Sequence, residues 1–277
     1  MKKAVILLCV LVWAGVAQGL TIFETFDTDP LSDGWTKSED GSSFTYENGL
    51  AGHVGGGYLN VFMQPNPNTD RYTVALGQAF DGSQEIWMEF DLATVHHYQY
   101  QRGWMGVFNS SSDNRTNVLG ANYWRQQTSS YLSNFTTRIS SYDSAGTSTA
   151  YTPAYVFVAG EPVRAKMHYA VDGDGNGVME LEIWRLNEAG AADDELLTAE
   201  SATLLTPGQS LSYDVFGLAN NYGSSATSYT QRSWVDNLYF STEGANPVYV
   251  DPAFAVPEPV TLALLGLGGL AAIRRRK

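Results

Sequence analysis

Three groups of residues have types and spacings that could do chemistry. The first is Glu85-Ile86-Trp87-Met88-Glu89-Phe90-Asp91. Side chains on a strand alternate between faces, so Glu85, Trp87, Glu89 and Asp91 would share one face and Ile86, Met88 and Phe90 the other. Two carboxyls about 5–5.5 Å apart can cleave a glycosidic bond with retention, one as nucleophile and one as acid. The backbones of Glu89 and Asp91 would stand ~6.6 Å apart, and Trp87 sits where an acid would have to tune the pair. The expected role is therefore structural, with Ile86, Met88, Phe90 and Leu92 in the core and the polar face in water.

The second group is Asp172-Gly173-Asp174-Gly175-Asn176-Gly177. Oxygen-bearing side chains at every second position, with glycine at the sixth, reproduce the first half of a calcium-binding loop. Asp172, Asp174, Asn176 and, at the ninth position, Glu180 are the candidate ligands, and Ca2+ is the one cofactor the sequence points to. Ile183 stands at the twelfth position in place of the bidentate Glu, and the same residues would make an ordinary hairpin turn. Both readings remain open.

The third group is aromatic. The chain has 7 Trp and 16 Tyr, and Trp104, Tyr123, Trp124 and Arg125 lie in or beside polar stretches with Arg102, Gln126, Gln127 and Tyr131. Flat rings meet the C–H faces of sugars while guanidinium and amide groups meet the hydroxyls. These four are the candidate glycan-binding residues. Other chemistry finds little support. His96 and His97 are adjacent and would point to opposite faces of a strand. No Gly-x-Ser-x-Gly elbow, phosphate loop or dinucleotide fingerprint occurs.

The elements that must position these groups are short strands. Apolar-polar runs predict strands at 22–26, 58–63, 71–76, 85–92, 104–108, 131–139, 155–158, 163–171, 178–186, 211–219 and 234–240. The clearest pair is 163–186, where Val163, Ala165, Met167, Tyr169 and Val171 alternate with Arg164, Lys166 and His168. Across the turn Met179, Leu181 and Ile183 alternate with Glu180, Glu182 and Trp184, so Lys166 and His168 should face Glu180 and Glu182. Residues 187–206 read as a surface loop with a short helical turn. Long polar loops are expected at 109–117, 126–130 and 221–233. So many strands separated by turn signals argue for a sandwich or barrel.

Both ends differ from this interior. Met1-Lys2-Lys3 precedes an uncharged run from Ala4 to Ala17, and Ala17-Gln18-Gly19 supplies small residues for cleavage, the pattern of a secretory signal peptide. The run is short of the ~20 apolar residues a full span needs. Leu8 before Cys9 argues against lipid attachment. At the other end Pro257-Glu258-Pro259 abuts an apolar segment, Val260 to Ile273, closed by Arg274, Arg275, Arg276 and Lys277, which would halt transit with the cations on the cytoplasmic side. The sole cysteine leaves with the signal peptide, which excludes disulfides and thiol chemistry from the mature chain. Of 16 basic and 29 acidic residues, the two ends hold six and one, leaving 10 against 28 and a net charge of −18. A domain that acidic is repelled by nucleic acid.

The tripartite tail resembles the PEP-CTERM sorting signal of Gram-negative bacteria, whose carriers are thought to be processed by an exosortase, a membrane transpeptidase. The opening Phe26-Asp27-Thr28-Asp29-Pro30 and closing Trp234-Val235-Asp236-Asn237-Leu238 resemble the concanavalin-A-like, LamG-like jelly roll of secreted carbohydrate-active proteins. That resemblance implies an all-β, two-sheet sandwich in which the opening and closing strands lie side by side. Glycosidases with this jelly roll carry Glu-x-Asp-x-Glu on one strand, and Trp87 replaces the middle Asp here.

The expected organisation is a signal peptide at 1–19, a jelly-roll sandwich at 20–241, a linker at 242–255 and a sorting signal with a short hydrophobic helix at 256–277. Signal peptidase and exosortase are the expected export partners. The inner membrane is a transient anchor, and the cell surface or the extracellular matrix the destination. The expected role is non-catalytic and associated with a glycan or exopolysaccharide. The alternatives are a purely structural envelope protein and, with less support, a secreted glycoside hydrolase or lyase.

Overall fold

The computed structural model describes residues 19–26, 28–39, 43–48, 57–63, 70–97, 102–125, 134–151, 156–158, 162–186, 193–220 and 231–247. Residues 1–18 of the expected signal peptide at 1–19 and the sorting tail with its expected helix lie outside these residues. The chain divides into two compact units, residues 1–245 and 246–277, and the strands belong to the first. Among the described residues no helix is long and apolar enough to cross a membrane.

The strands in chain order are β1 (Thr21–Glu24), β2 (Trp35–Ser38), β3 (Ser43–Asn48), β4 (Gly57–Met63), β5 (Arg71–Phe80) and β6 (Ile86–His97). They continue as β7 (Arg102–Phe108), β8 (Val118–Arg125), β9 (Asn134–Tyr142), β10 (Ser148–Tyr151) and β11 (Val156–Val158). The last five are β12 (Val163–Val171), β13 (Gly177–Leu186), β14 (Asp193–Leu205), β15 (Tyr213–Asn220) and β16 (Gln231–Ser241). They form two antiparallel sheets. The front sheet runs β14-β13-β12-β6-β16-β4-β3 with β1 also on β16, and the back sheet runs β10-β9-β8-β7-β15-β5-β2 with β11 also on β9. The protein is an all-β, two-sheet jelly-roll sandwich.

Alternation decides which residues meet between the sheets. Ile86, Met88 and Phe90 of β6, Ala165, Met167 and Tyr169 of β12, and Met179, Leu181 and Ile183 of β13 are buried in one core with Val107, Leu119, Phe216 and Leu218 of the back sheet. Each large apolar side chain placed there contributes about 1.5–3 kcal/mol. The expected hairpin forms in full, with Val163 opposite Arg185, His168 opposite Glu180 and Val171 opposite Gly177. The opening and closing strands also pair as expected, with Thr21 opposite Ser241 and Glu24 opposite Leu238.

The opening motif has a local cause. Asp29 caps a 3-10 turn at Pro30–Asp33, its carboxylate accepting from Leu31 N at 3.1 Å, and Pro30 begins the turn where a missing N–H is harmless. Gly34 ends it at φ 89°, a conformation glycine adopts without strain, and delivers Trp35 onto Tyr72 with ring centroids 5.2 Å apart.

Two expectations are corrected. Residues 193–205 form an edge strand, β14, where a surface loop was expected; Leu204 and Leu205 are buried, and three register shifts against β13 break the alternation. The polar face that includes β6 is only partly in water: Glu85 just before the strand is exposed and Trp87 half-buried, whereas Glu89 and Asp91 are buried.

Candidate functional site on the outer face of the back sheet

The back sheet buries a second apolar cluster on the face turned away from the main core. Met105 and Val107 of β7 join the main core, whereas Trp104 and Phe108 of the same strand pack with Val118, Val215, Ala219 and Tyr142. This outer face has a polar cross-strand row. Ala219 lies between Arg71 on β5 and Trp104 on β7, and Trp104 lies opposite Asn122 on β8. Ala219 is itself fully buried and packs in the cluster with Trp104.

Arg71 ties the loop after β7 to this face. Its Nε donates to Asn114 Oδ1, Nη1 to Asn109 O at 2.7 Å and Nη2 to Ser112 O at 2.5 Å. The guanidinium carbon stands 5.5 Å from the centroid of Phe108. Burial lowers the Arg71 pKa from its ordinary value, and the charges of Asp113 and Asp214 act in the opposite sense. Asn114 is fully buried and secures the loop from the other side, donating to Asn220 O at 2.5 Å and Asp70 O at 3.3 Å.

Beside Arg71 opens a cleft of about 500 Å³, lined among others by Thr36, Lys37, Thr73, Ser112 and Asp113. Its nearby carboxylates serve the loop itself. Asp214 accepts from Ser110 N at 2.6 Å and Ser110 Oγ at 2.7 Å, and Asp113 accepts from Arg115 N at 2.8 Å. Lys37 is held 3.2 Å from Glu39.

The candidate glycan-binding residues are neighbours on this sheet. In backbone register Trp124 lies opposite Arg102, and Tyr123 opposite Gly103. The side chains of Tyr123, Trp124, Arg125 and Arg102 lie outside the described residues. Trp104 departs from the expectation. It is 1 % exposed and packs edge-on to Tyr142, with ring centroids 5.9 Å apart, so its faces are not open to a sugar. Its Nε1, and both polar atoms of the Asn122 amide, have no hydrogen-bond partner among the described residues. Arg71 was absent from the sequence-based candidates. A single arginine opening a strand has no local mark, and its partners are 38 to 43 residues away.

The carboxylate strand is used differently. On the outer face of the front sheet Asp91 accepts from Arg164 at 2.6 and 2.7 Å and from Asn237 Nδ2 at 2.7 Å. Glu85, just before β6, meets His168 Nε2 at 2.7 Å, and the imidazole stacks on Trp87 with centroids 4.9 Å apart. Lys166 sits 5.3 Å from the centroid of Trp184, whose Nε1 donates to Glu182 at 2.8 Å. His96 and His97 lie on β6, their side chains outside the described residues.

The Asp172–Gly177 loop is a hairpin turn that satisfies itself. Asp172 Oδ1 accepts from Asp174 N at 2.9 Å and Asn176 N at 2.8 Å, while Asp172 N donates to Asn176 O at 2.9 Å. The Asn176 amide and these backbone N–H groups hold the Asp172 carboxyl below its usual range. Glu180 is on β13, 3.5 Å from His168 Nδ1. Among the described residues no group of three or more His, Cys, Asp or Glu is gathered to hold a metal ion.

Comparison with known proteins adds the tail. No curated protein matches the chain. An endo-β-1,4-glucuronan lyase from the fungus Trichoderma reesei is 13 % identical over 81 % of this chain and 99 % of its own, with a TM-score of 0.49. An exolytic PL7 alginate lyase from Zobellia galactanivorans is 11 % identical over 81 % of this chain and 100 % of its own, also at 0.49. A marine PL-14 alginate lyase from Aplysia kurodai is 10 % identical over 75 % and 87 %, at 0.41. Residues 255–277 match the PEP-CTERM protein-sorting motif, which marks an exported protein that transits the membrane and is processed by an exosortase.

Proposed function

We propose that the exported domain is a non-catalytic, glycan-associated protein of the cell surface or extracellular matrix, and that its cleft on the back sheet is the contact for polysaccharide. The observation that supports this reading is the cleft's chemistry: hydroxyls of Thr36, Thr73 and Ser112 beside Lys37 and the braced Arg71. Such a lining hydrogen-bonds sugar hydroxyls and fixes orientation. Carboxylates that could act as acid or base are committed elsewhere. Asp113 and Asp214 cap the loop, and Asp91 is locked to Arg164. Among the described residues, Asp113 is the one carboxylate that lines the cleft.

Affinity electrophoresis of the exported protein in gels containing the producing cell's own exopolysaccharide tests the reading. Retarded migration without release of new reducing or unsaturated ends is the expected result. Unretarded migration would move the protein to a purely structural role, and product release would make it an enzyme.

A further inference from the structure

We infer that the cleft on the back sheet takes an acidic glycan, with a sugar-borne oxyanion, carboxylate or sulfate, seated on Arg71; the inference rests on the glycan-binding reading above. Two arginines are buried on opposite outer faces of this sandwich, and their surroundings differ. Arg164 is 0 % exposed and meets a carboxylate at two points, Asp91 at 2.6 and 2.7 Å. Arg71 is 7 % exposed and, among the described residues, its hydrogen bonds go to neutral acceptors, the carbonyls of Asn109 and Ser112 and the amide oxygen of Asn114. A guanidinium carries five N–H groups. Three of Arg71's are used, and each terminal nitrogen keeps a second one.

The nearest acids do not compensate that charge by contact. Asp214 turns both oxygens to Ser110, and Asp113 turns to Arg115 N and, at 3.2 Å, to Thr116 Oγ1. A buried charge whose neighbouring acids make no direct contact with it is only partly compensated, and an anion arriving from solvent lowers the remaining cost. Charge-assisted hydrogen bonds from a guanidinium to an oxyanion are about twice as strong as neutral ones. Arg71 lines the cleft, so the approach is from a solvent-filled space flanked by Thr36, Thr73 and Ser112. The placement is also uneven for the chain as a whole. In a segment with 10 cations against 28 acids, this cleft has Arg71 and Lys37 against Asp113. At physiological salt, charges farther apart than about 8 Å are screened, so the domain's overall negative charge acts weakly while the contact survives.

The test compares polymers that differ only in charge, at physiological ionic strength and on the exported protein. Polygalacturonate is paired with the same polymer after carboxyl reduction, and dextran sulfate with dextran. At least one charged member should bind about tenfold or more tightly than its neutral partner, and which pair discriminates identifies the oxyanion. Arg71→Met should abolish that preference, and Lys37→Met should leave most of it. The melting temperature of each variant shows whether it is folded, and Arg71→Lys, which keeps the charge, should retain part of the preference if Arg71→Met does not fold. Equal binding of charged and neutral partners by the unaltered protein would overturn the inference and leave the glycan reading standing. Binding of none of the four, nor of the host polysaccharide, would remove both. A folded Arg71→Met variant that kept the preference would also overturn it.

Discussion

The carboxylate of Asp91 and the guanidinium of Arg164 form a two-point ion pair that is cut off from solvent, with side-chain exposures of 1 % and 0 %. Asn237 adds a third hydrogen bond to Asp91 from β16, so strands β6, β12 and β16 meet at one carboxylate. Removing one member of such a pair leaves a buried charge unmet, at a cost of about 3–5 kcal/mol. Asp91→Ala should therefore lower stability by that amount in urea unfolding, with a large fall in melting temperature. A loss under about 1 kcal/mol would show that the pair is hydrated or adds no net stability.

Asn114 has a comparable position on the other sheet, where its amide joins Asn220 O, Asp70 O and Arg71 Nε. Asn114→Ala would strip a buried guanidinium N–H of its acceptor and take one donor from two buried carbonyls, of which Asp70 O still accepts from Asn220 N at 3.0 Å. Each unmet group costs about 1–3 kcal/mol. The variant should lose stability by at least one such increment, and backbone amides in 109–117 should exchange faster with deuterium. Unchanged exchange there would mean that Asp214 and the Asn109 side chain hold the loop without it.

The sequence made some of these relationships visible and hid others for physical reasons. Residues 163–186 were legible because one face is apolar while the other carries Arg164, Lys166, His168, Glu180 and Glu182, and the observed register is the one that pattern requires. β14 was hidden because Asp, Glu and Ala are poor strand formers and its three register shifts erase the period. Such a charged, bulged edge is also what keeps a sheet from pairing with another chain. β8 was hidden by Gly120, whose absence of a side chain serves close approach to its neighbour. Within the site, Trp104 was misread because an outer face can itself be buried, and local sequence does not record what covers a strand. Arg71 was invisible because its role comes from contacts with a loop far along the chain.

Alkaline pH should unfold the sandwich through its buried tyrosines. Burial, and then the charge of Asp81, pushes the Tyr169 phenol up to about 12, and its O–H donates to Gly82 O at 2.7 Å. Tyr72 and Tyr213 are likewise pushed up by burial. A folded pKa above the unfolded value of 10.0 means that the stabilisation is complete below pH 10 and is lost as pH rises from 10 towards 12. Tyrosinate absorbance should rise together with loss of strand circular dichroism in that window. Tyrosinate formation complete near pH 10 with the fold intact would contradict the burial.

At low pH the exposed turn behaves in the opposite sense. Asp172 is held below its ordinary value of 3.8 by the Asn176 amide and by backbone N–H groups. A depressed folded pKa gives a contribution present above about pH 4 that disappears as pH falls through the folded value. The Asp172 carboxyl carbon should therefore titrate below 3.8 by NMR, and Asn176→Ala should move it back upward. An unshifted midpoint in the unaltered protein would mean that the turn is not closed by these bonds in solution.

Gly106 and Gly120 face each other across β7 and β8, in the middle of the outer face. A Cβ on Gly106 would come within 2.2 Å of Leu119 O, and one on Gly120 within 2.1 Å of Met105 O, so backbone rather than a movable side chain would have to shift. Overpacking of this kind costs typically 1–3 kcal/mol. Gly106→Ala and Gly120→Ala should each be destabilising by that amount in chemical unfolding. Because both would push on the same pair of strands, the double variant should cost less than the sum of the singles. Strict additivity, or a neutral single substitution, would show that β7 and β8 can separate locally without straining the sheet that supports Arg71 and the cleft.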